Sequence, residues 1–384
     1  MFATRTNWNL TPNPLAEALA RFRASGRKLL DLTASNPTEC GFRYDGASIL
    51  KALITPAVLK YHPDPRGLEA ARKAVTEYYC QRGDEVRLDD VILTVSTSEA
   101  YSYAFRLLCN PGDEVLVPTP SYPLFDFLAD IQDVKLIRYS LLYDHGWQID
   151  FHALESAITP RTRAVIVVHP NNPTGHYTRA QEVEKLNSIC IAHDLVLIAD
   201  EVFLDFPLAQ HRPGSFAQNN SVLTLTMSGL SKISGLPQMK FSWLAVNGPP
   251  ARKKDALARL EVIADTFLSM NAAIQAAAPT LLAQRHGIQQ QLMARVQSNL
   301  AELDRQLSEE QACSRLAVEG GWYAVLRVPA TRCDEELALE LLEDAVYVHP
   351  GHFYDFPAEG YLVVSLITPE RDFSEGIEKL LALF

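Results

Sequence analysis

The chain has 384 residues, of which 47% are hydrophobic and 21% are charged. A chain of this length and composition can bury a large core, more readily in two lobes than in one, which excludes a disordered scaffold. The formal net charge of -11, with acidic and basic residues interspersed, argues against nucleic acid or an anionic membrane as the partner. We therefore expect a globular enzyme that acts on a small molecule.

The cysteines and the first residues bear on metal binding and compartment. Six cysteines are spread singly, with no Cys-x-x-Cys pair, so neither a zinc site nor a disulfide framework is predicted. The N-terminus lacks a basic region followed by an apolar run, and no later stretch approaches about 18 consecutive apolar residues. These patterns predict a cytoplasmic protein without a bound metal.

The first predicted element is a helix near Pro14 to Ala24, in an N-terminal segment too short to fold alone. From about residue 90 onward, short apolar runs alternate with helical patterns such as Ser98 to Leu108. This alternation is typical of βαβ units that feed a largely parallel sheet. Seven buried strands are predicted, at Val91–Val95, Glu114–Val117, Lys135–Tyr139, Ala164–Val168, Leu195–Ala199, Val222–Thr226 and Phe241–Val246.

The pattern changes after Val246. Long helices and then short strands are predicted there, at Arg252–Arg285, Gln289–Leu307, Trp322–Val328, Ala345–Val348 and Tyr361–Ile367. We therefore predict an α/β fold: a three-layer α/β/α large domain with a mostly parallel seven-stranded sheet, plus a smaller α+β domain. The large domain is assigned to residues 45–285. The small domain is assigned to residues 1–44 and 286–384, with the N-terminal segment packed on the C-terminal lobe.

Small hydroxyl residues follow the first predicted strand, where the segment from Thr94 to Ala100 (TVSTSEA) leads into a helix. Exposed amide N–H groups at such a helix start bind phosphate. An ordinary Ser or Thr N-cap explains the same pattern. Taken singly, this segment leaves both interpretations open.

Two further strand ends carry polar residues. The strand that ends at Val168 runs into His169–Gly175 (HPNNPTG), a turn-forming cluster at the carboxyl end of a parallel strand, where open α/β sheets place ligands. The next strand runs directly into Asp200. An acid in that position is as often a cap as a site residue.

A polar loop from Met227 to Lys240 lies between the last two predicted strands. The amine of Lys232 in this loop can be held close to a carbonyl cofactor, and a neighbouring cation such as Lys240 can depress its pKa toward nucleophilic use. A lysine taken alone is more often solvated. The loop by itself does not decide between the two.

Together these strand ends resemble the class I/II aminotransferases, the large pyridoxal-phosphate family of fold type I, over nearly the whole chain. The motifs that carry the resemblance occur in order: Tyr61 and Gly67, STSEA at 96–100, NPGDEV at 110–115, PSYP at 120–123, NPTG at 172–175, DEV at 200–202, SK at 231–232, GG at 320–321 and PG at 350–351. Any one match is weak, whereas the ordered series is specific.

The resemblance implies that pyridoxal 5′-phosphate is the cofactor, and that Lys232 is its Schiff-base lysine and the general acid and base of the reaction. Asp200 would pair with the pyridinium nitrogen, Asn172 would hydrogen-bond the phenolic oxygen and Tyr122 would stack on the ring. The phosphate contacts implied are Thr97, Ser98, Ser228 or Ser231, and Lys240. Tyr61 resembles the tyrosine that reaches the phosphate of the neighbouring subunit, which implies a homodimer with shared sites.

Three positions depart from the family's pattern. Lys240 replaces an arginine and cannot grip phosphate bidentately. Phe203 replaces a tyrosine, which removes one hydrogen bond to the cofactor's phenolic oxygen. Val363 stands where the family carries an arginine that clamps the substrate's α-carboxylate. Either another cation binds the carboxylate, or the substrate presents its amine without this clamp. The alternative cations are Arg43, Arg66 and Arg327.

The resemblance favours a ping-pong aminotransferase that passes an amino group between an amino donor and a keto acid. A lyase or decarboxylase on the same scaffold is the alternative, and a cofactor-binding regulator without turnover is a third hypothesis. Four aromatic residues are candidates for an apolar substrate pocket, although such residues more often belong to the core: Trp322, Tyr323, Phe353 and Tyr354.

Overall fold

The computed structural model describes residues 1–208, 213–268, 270–309 and 312–384. The α-helices in these ranges are α1 Pro14–Ala24, α2 Gly46–Leu53, α3 Glu69–Arg82, α4 Thr97–Leu108, α5 Phe125–Asp130, α6 Phe151–Ser156, α7 Ala180–His193, α8 Leu230–Ile233, α9 Pro250–Phe267, α10 Ala272–Ala283, α11 Arg285–Glu309, α12 Asp334–Glu343 and α13 Glu370–Leu381. The strands are β1 Leu30–Asp31, β2 Val91–Thr94, β3 Glu114–Thr119, β4 Lys135–Tyr143, β5 Trp147–Ile149, β6 Thr162–Val168, β7 Val196–Asp200, β8 Thr224–Gly229, β9 Ser242–Asn247, β10 Ser314–Arg315, β11 Tyr323–Arg327, β12 Val346–Tyr347, β13 His349–Pro350 and β14 Tyr361–Ser365.

Within the described residues, the larger sheet has eight strands in the order β2-β9-β8-β7-β6-β3-β4-β5. Strands β4, β3, β6, β7 and β8 run parallel to their neighbours in this series, whereas β9 is antiparallel to both β2 and β8. All seven strands predicted from the sequence are present. The prediction of a mostly parallel sheet is therefore confirmed.

Apolar side chains alternate between the two faces of this sheet. Along β6, Val165 and Val167 belong to one buried cluster, whereas Ala164, Ile166 and Val168 belong to another. Successive side chains of a strand point to opposite faces, so each face has its own core. Both faces are covered, as the three-layer arrangement requires.

The eighth strand, β5, was not predicted. Strand β4 continues past its predicted end to Tyr143, and the chain returns antiparallel with Leu141 opposite Ile149. His145 in the turn has a positive φ of 51°. A strand of three residues is too short for an alternating pattern to reveal it.

The single helix predicted over Arg252–Arg285 is wrong, because the chain forms two helices, α9 and α10. Helix α9 ends where Leu268 adopts a φ of 65°, in the left-handed region. The side chain of Asn271 then caps α10 by accepting the N–H groups of Ala273 and Ile274.

A smaller sheet in the order β10-β11-β14-β13 is antiparallel throughout. The N-terminal strand β1 pairs in parallel with β12, with Leu30 opposite Val346, and α1 packs against α12. The N-terminal segment therefore lies on the C-terminal part of the chain. The domain boundaries near residues 45 and 285 stay a prediction. Among the described helices, none has the length and apolar character needed to cross a bilayer.

Candidate active site

Polar side chains follow three neighbouring parallel strands at their carboxyl ends. Asp200 ends β7, opposite Val168 of β6 on one side and Met227 of β8 on the other. The loop with Asn172 and the turn with Lys232 follow directly from those two neighbours. The carboxyl ends of parallel strands share one edge of a sheet, which brings these predicted residues to one place.

Lys232 lies in α8, a single helical turn directly after β8. Its Nζ is 5.4 Å from the ring centroid of Phe203 and 4.9 Å from that of Trp322. Although the residue as a whole is half-buried, its amine lies deep, and burial lowers the pKa of Lys232 to about 8. The carboxylate of Asp200 opposes this shift.

The sequence predicts that a neighbouring cation, Lys240, lowers the pKa of Lys232. That cause is wrong, because burial dominates and Lys240 is exposed, with a positive φ of 49°. An amine whose pKa is lowered in this way is partly neutral near neutral pH, so it can act as a nucleophile or as a base.

Asp200 is 8% exposed and is held by two donors. Its Oδ1 accepts the N–H of Val202 at 3.1 Å, and its Oδ2 accepts the hydroxyl of Tyr101 at 3.1 Å. Burial raises the pKa of Asp200 to about 6, while these two hydrogen bonds and the charge of Lys232 oppose the rise. Sequence reasoning missed Tyr101, and the one available signal was that a buried tyrosine hydroxyl usually has a partner.

Asn172 carries an unpaired polar atom in a buried place. The residue is 8% exposed, and its Oδ1 has no hydrogen-bond partner among the described residues. Buried side-chain polar atoms are normally paired, and a rotated amide presents its NH₂ group at the same point. This side chain is therefore suited to a polar ligand near Asp200.

The start of α4 supplies the predicted phosphate-binding residues. Ser96 is the N-cap, and its Oγ accepts the N–H of Glu99 at 3.1 Å. Thr97 and Ser98 form the first turn and are half-buried. Amide N–H groups of a first helical turn have no partner within the helix, so they can bind an anion. The cap and phosphate interpretations are compatible here.

The two serines that the sequence left open differ in their contacts. The hydroxyl of Ser228 is buried and donates to the carbonyl oxygen of Glu201 at 3.3 Å. Ser231 is half-buried and directly precedes Lys232 in α8. Because the Ser228 donor is engaged within the protein, Ser231 is the better candidate for a phosphate.

The two predicted tyrosines lie nearer the surface. Tyr122 follows β3, is 40% exposed, and meets the ring of Phe125 edge-on at 6.0 Å. Burial of its hydroxyl and the charge of Asp200 raise the pKa of Tyr122, which indicates that the hydroxyl lies within reach of that carboxylate's field. Tyr61 is 82% exposed and lies on the surface of the single chain.

The position expected to hold an arginine is part of the core. Val363 is 1% exposed within β14 of the smaller sheet. Among the alternative cations, Arg66 is paired with Glu261 at 2.6 Å, whereas Arg43 and Arg327 are exposed. These contacts give no reason to assign any one of the three to a substrate carboxylate.

Aromatic rings line the site on the side of the smaller sheet. The ring centroids of Trp322 and Tyr323 lie 5.2 and 6.1 Å from that of Phe203. Tyr354 is buried and its hydroxyl is 3.1 Å from Nδ1 of His349, while Phe353 is half-buried. Of the four aromatic residues predicted for a substrate pocket, Trp322 and Tyr323 are those packed beside Phe203.

A separate cavity of about 700 Å³ lies against α7 and is lined in part by His169 and Thr178. Nδ1 of His169 accepts the N–H of Thr178 at 3.0 Å, and its Nε2 lies 3.0 Å from the carbonyl oxygen of Gly214. Burial lowers the pKa of His169 to about 3, so the ring is neutral and both nitrogens are paired. Neither Lys232 nor Asp200 lines this cavity, so the chemistry lies elsewhere.

A family model described as aminotransferase class I and II matches residues 45–380. Among curated proteins, the chain is 27% identical to the glutamate-pyruvate aminotransferase AlaA of Escherichia coli K12, over 90% of this chain and 87% of that protein. It is 29% identical to an alanine aminotransferase of Mycobacterium tuberculosis H37Rv, over 96% of this chain and 88% of that protein.

Solved structures agree with these matches. An aminotransferase from Escherichia coli superimposes with a TM-score of 0.88 at 26% identity, covering 100% of this chain and 98% of that one. An alanine aminotransferase from Pyrococcus furiosus superimposes with a TM-score of 0.89 at 23% identity, covering 100% of this chain and 99% of the other, and supports the fold alone.

Proposed function

Because the chain belongs to the class I and II aminotransferases, we propose that it holds pyridoxal 5′-phosphate at Lys232 and transfers amino groups between an amino acid and a keto acid. The observation that carries the proposal is the buried amine of Lys232, with its pKa lowered to about 8, in the field of Asp200. The unpaired side-chain oxygen of Asn172 and the first turn of α4 are polar groups suited to the rest of the cofactor.

Bound pyridoxal phosphate supplies a carbonyl that condenses with amines and a ring that takes up the electrons of a broken substrate bond. Nζ of Lys232 would hold the cofactor and, when free, would accept the proton of the substrate's α-carbon. The carboxylate of Asp200 would accept a hydrogen bond from a protonated ring nitrogen. The amide of Asn172 would donate to the phenolic oxygen, and Thr97 and Ser98 would hold the phosphate.

Transamination is favoured over a lyase or decarboxylase reaction by the relatives, which are named as aminotransferases. Two of them are named for alanine or for glutamate and pyruvate, so these compounds are the first substrates to propose for this chain. The buried Val363 sets a condition on this choice, because the α-carboxylate must then be held without an arginine at that position.

A half-reaction tests the proposal. The holoenzyme is mixed with L-alanine or L-glutamate alone, and the keto acid formed is counted per site. A ping-pong aminotransferase releases about one keto acid per site and then stops until a second keto acid is added. The Lys232→Ala variant is the control and should release none. Absence of keto acid with a broad panel of amines would reject transamination, and carbon dioxide or a thiol as product would support the alternative.

A homodimer with shared sites is the second part of the proposal. A groove beside the start of α4 is lined by Val95, Phe267 and Leu268, whose side chains are 37%, 48% and 69% exposed. Exposed apolar side chains grouped in this way are typical of a surface that a partner covers. Tyr61 would then reach the phosphate of the partner site. Analytical ultracentrifugation measures the mass, and a monomer at micromolar concentration would reject this part.

A cytoplasmic location completes the proposal. It is the location expected from the sequence, whose six cysteines are spread singly with no Cys-x-x-Cys pair. Cell fractionation with an antibody against the chain tests it directly, because recovery in a membrane or secreted fraction would contradict it.

A further inference from the structure

Asp200 receives a hydrogen bond from a tyrosine that no motif had singled out. We propose that Tyr101 is a positioning residue, which keeps the carboxylate of Asp200 ionised and aimed at the nitrogen of the bound cofactor ring. This inference rests on the proposed function. It concerns the support of Asp200 and assigns Tyr101 no contact with the cofactor or the substrate.

The geometry fixes both oxygens of the carboxylate. Oδ1 takes the N–H of Val202 and Oδ2 takes the hydroxyl of Tyr101, each at 3.1 Å. The two donors come from different elements, since Val202 follows β7 whereas Tyr101 belongs to α4. A carboxylate oxygen has two lone pairs, so each oxygen can still accept one further hydrogen bond. The donors therefore set the plane of the carboxylate and leave a lone pair on each oxygen for a ring N–H.

Packing holds Tyr101 in a single place. The residue is 2% exposed, and its ring centroid lies 6.0 Å from that of Phe105 and 5.2 Å from that of Phe125, the latter edge-on. Burial raises the pKa of Tyr101 well above its usual value, so the hydroxyl remains a donor. Both neighbouring rings are buried.

Helix α4 links the two ends of the proposed cofactor site. Thr97 in its first turn and Tyr101 are four residues apart, and residues with that spacing lie on one face of a helix. One rigid element therefore carries a proposed phosphate contact and the donor to Asp200. Any shift of α4 moves these two groups together.

The Tyr101 hydroxyl is one of several groups that set the pKa of Asp200. Burial raises the pKa of Asp200 to about 6, and the Tyr101 hydroxyl, the Val202 N–H and the charge of Lys232 hold it down. The hydroxyl of Tyr122 faces the same carboxylate. A carboxylate loses its charge as the pH falls through its pKa. Removing the Tyr101 hydroxyl raises that pKa, so the ring nitrogen should lose its partner at a higher pH.

The test compares the wild-type holoenzyme with Tyr101→Phe, which removes the hydroxyl alone. Release of pyridoxal phosphate is followed by absorbance and dialysis as a function of pH. We expect the dissociation constant to rise about tenfold near neutral pH, because hydrogen bonds to charged groups are of that strength. The pH at which binding weakens on the acid side should move up by about one unit. Tyr103→Phe on the same helix is the matched control, since its hydroxyl lies by Glu99.

Two further variants separate positioning from structure. In an Asp200→Asn background, Tyr101→Phe should change the dissociation constant less than twofold, because the charge that it supports is gone. Incorporation of 3-fluorotyrosine at position 101 makes the hydroxyl a stronger donor, so the weakening of cofactor binding on the acid side of the pH profile (the acid limb) should move to lower pH. This measurement tests the inference even if the phenylalanine variant does not fold.

The outcomes are distinguishable. A loss of thermal stability in Tyr101→Phe with an unchanged acid limb would assign Tyr101 a structural role only and overturn the inference. An equal effect in the Asp200→Asn background would overturn it as well. If the wild-type protein binds no pyridoxal phosphate, the proposed function itself fails; if the wild type binds it and the variant matches the wild type, only the inference about Tyr101 fails.

Discussion

The lowered pKa of Lys232 gives a prediction that needs no cofactor. Acetylation of a lysine requires the neutral amine, and burial lowers the pKa of Lys232 to about 8. At a pH of about 7.5, roughly a quarter of such amines are neutral, against about 0.1% for a lysine with the ordinary value. The apoprotein is acetylated to a trace level at a series of pH values, and the rate at each lysine is measured by mass spectrometry of its peptides. The rate at Lys232 should reach half of its high-pH plateau near pH 8.

Two variants test the causes of this shift separately. Asp200 raises the pKa of Lys232 against the effect of burial, so Asp200→Asn should move the midpoint of acetylation below 8. Lys240→Gln should leave the midpoint unchanged, because burial rather than a neighbouring cation sets it. A midpoint near 10.5 in the wild type, or a rise of more than half a unit in Lys240→Gln, would refute the reasoning.

The same shift affects stability with a definite sign. The folded pKa of Lys232 lies below the unfolded value of 10.5, so between about pH 8 and 10.5 the unfolded chain binds more protons than the folded one. The contribution of Lys232 to the free energy of unfolding therefore rises with pH across that window. Urea denaturation of the wild type and of Lys232→Met at about pH 8 and 10.5 isolates this contribution. If the free energy of unfolding of the wild type, relative to that of the variant, fell between these two pH values, the prediction would be wrong.

Three other substitutions have defined outcomes. Phe203→Tyr places a hydroxyl beside Lys232 and should lower the pKa of the lysine nitrogen in the holoenzyme by about one unit. Identical spectroscopic titration curves for the wild type and the variant would contradict this prediction. Asp205→Ala leaves the guanidinium of Arg82 buried without its main partner and should lower the free energy of unfolding by about 3 kcal/mol, measured in urea. Gly175→Ala should lower the melting temperature more than Gly83→Ala. Both glycines have positive φ, but a Cβ on Gly175 would lie 2.5 Å from a backbone oxygen, whereas one on Gly83 meets open space.

The strands of the large sheet could be predicted because each is an apolar run bounded by turn residues. Strand β6, from Thr162 to Val168, is buried along almost its whole length. The additional strand β5 and the break between α9 and α10 could not be predicted. Both depend on single residues with positive φ, His145 and Leu268, and neither residue type favours that conformation strongly enough to mark it in a sequence.

The location of the candidate site could also be predicted, since Asp200 and Lys232 follow adjacent parallel strands. The cause of the lowered pKa of Lys232 could not be predicted. It depends on the rings of Phe203 and Trp322, which are more than a hundred residues apart in the chain. Tyr101 was missed for a related reason: its sequence position indicates a buried helix face, and only the tertiary structure shows where the hydroxyl points.

Because β1 pairs with β12, an early part of the chain can complete its packing only after a late part has been synthesised. Leu30 leaves the ribosome early, yet its partner Val346 follows only after most of the chain has been made. At the usual rate of translation the first strand waits roughly 15 to 60 seconds for its neighbour. The strands of the large sheet, complete at Asn247, can associate during that interval. A nascent chain stalled before residue 334, where α12 begins, would expose the apolar face of α1 that α12 covers, and a chaperone could bind there.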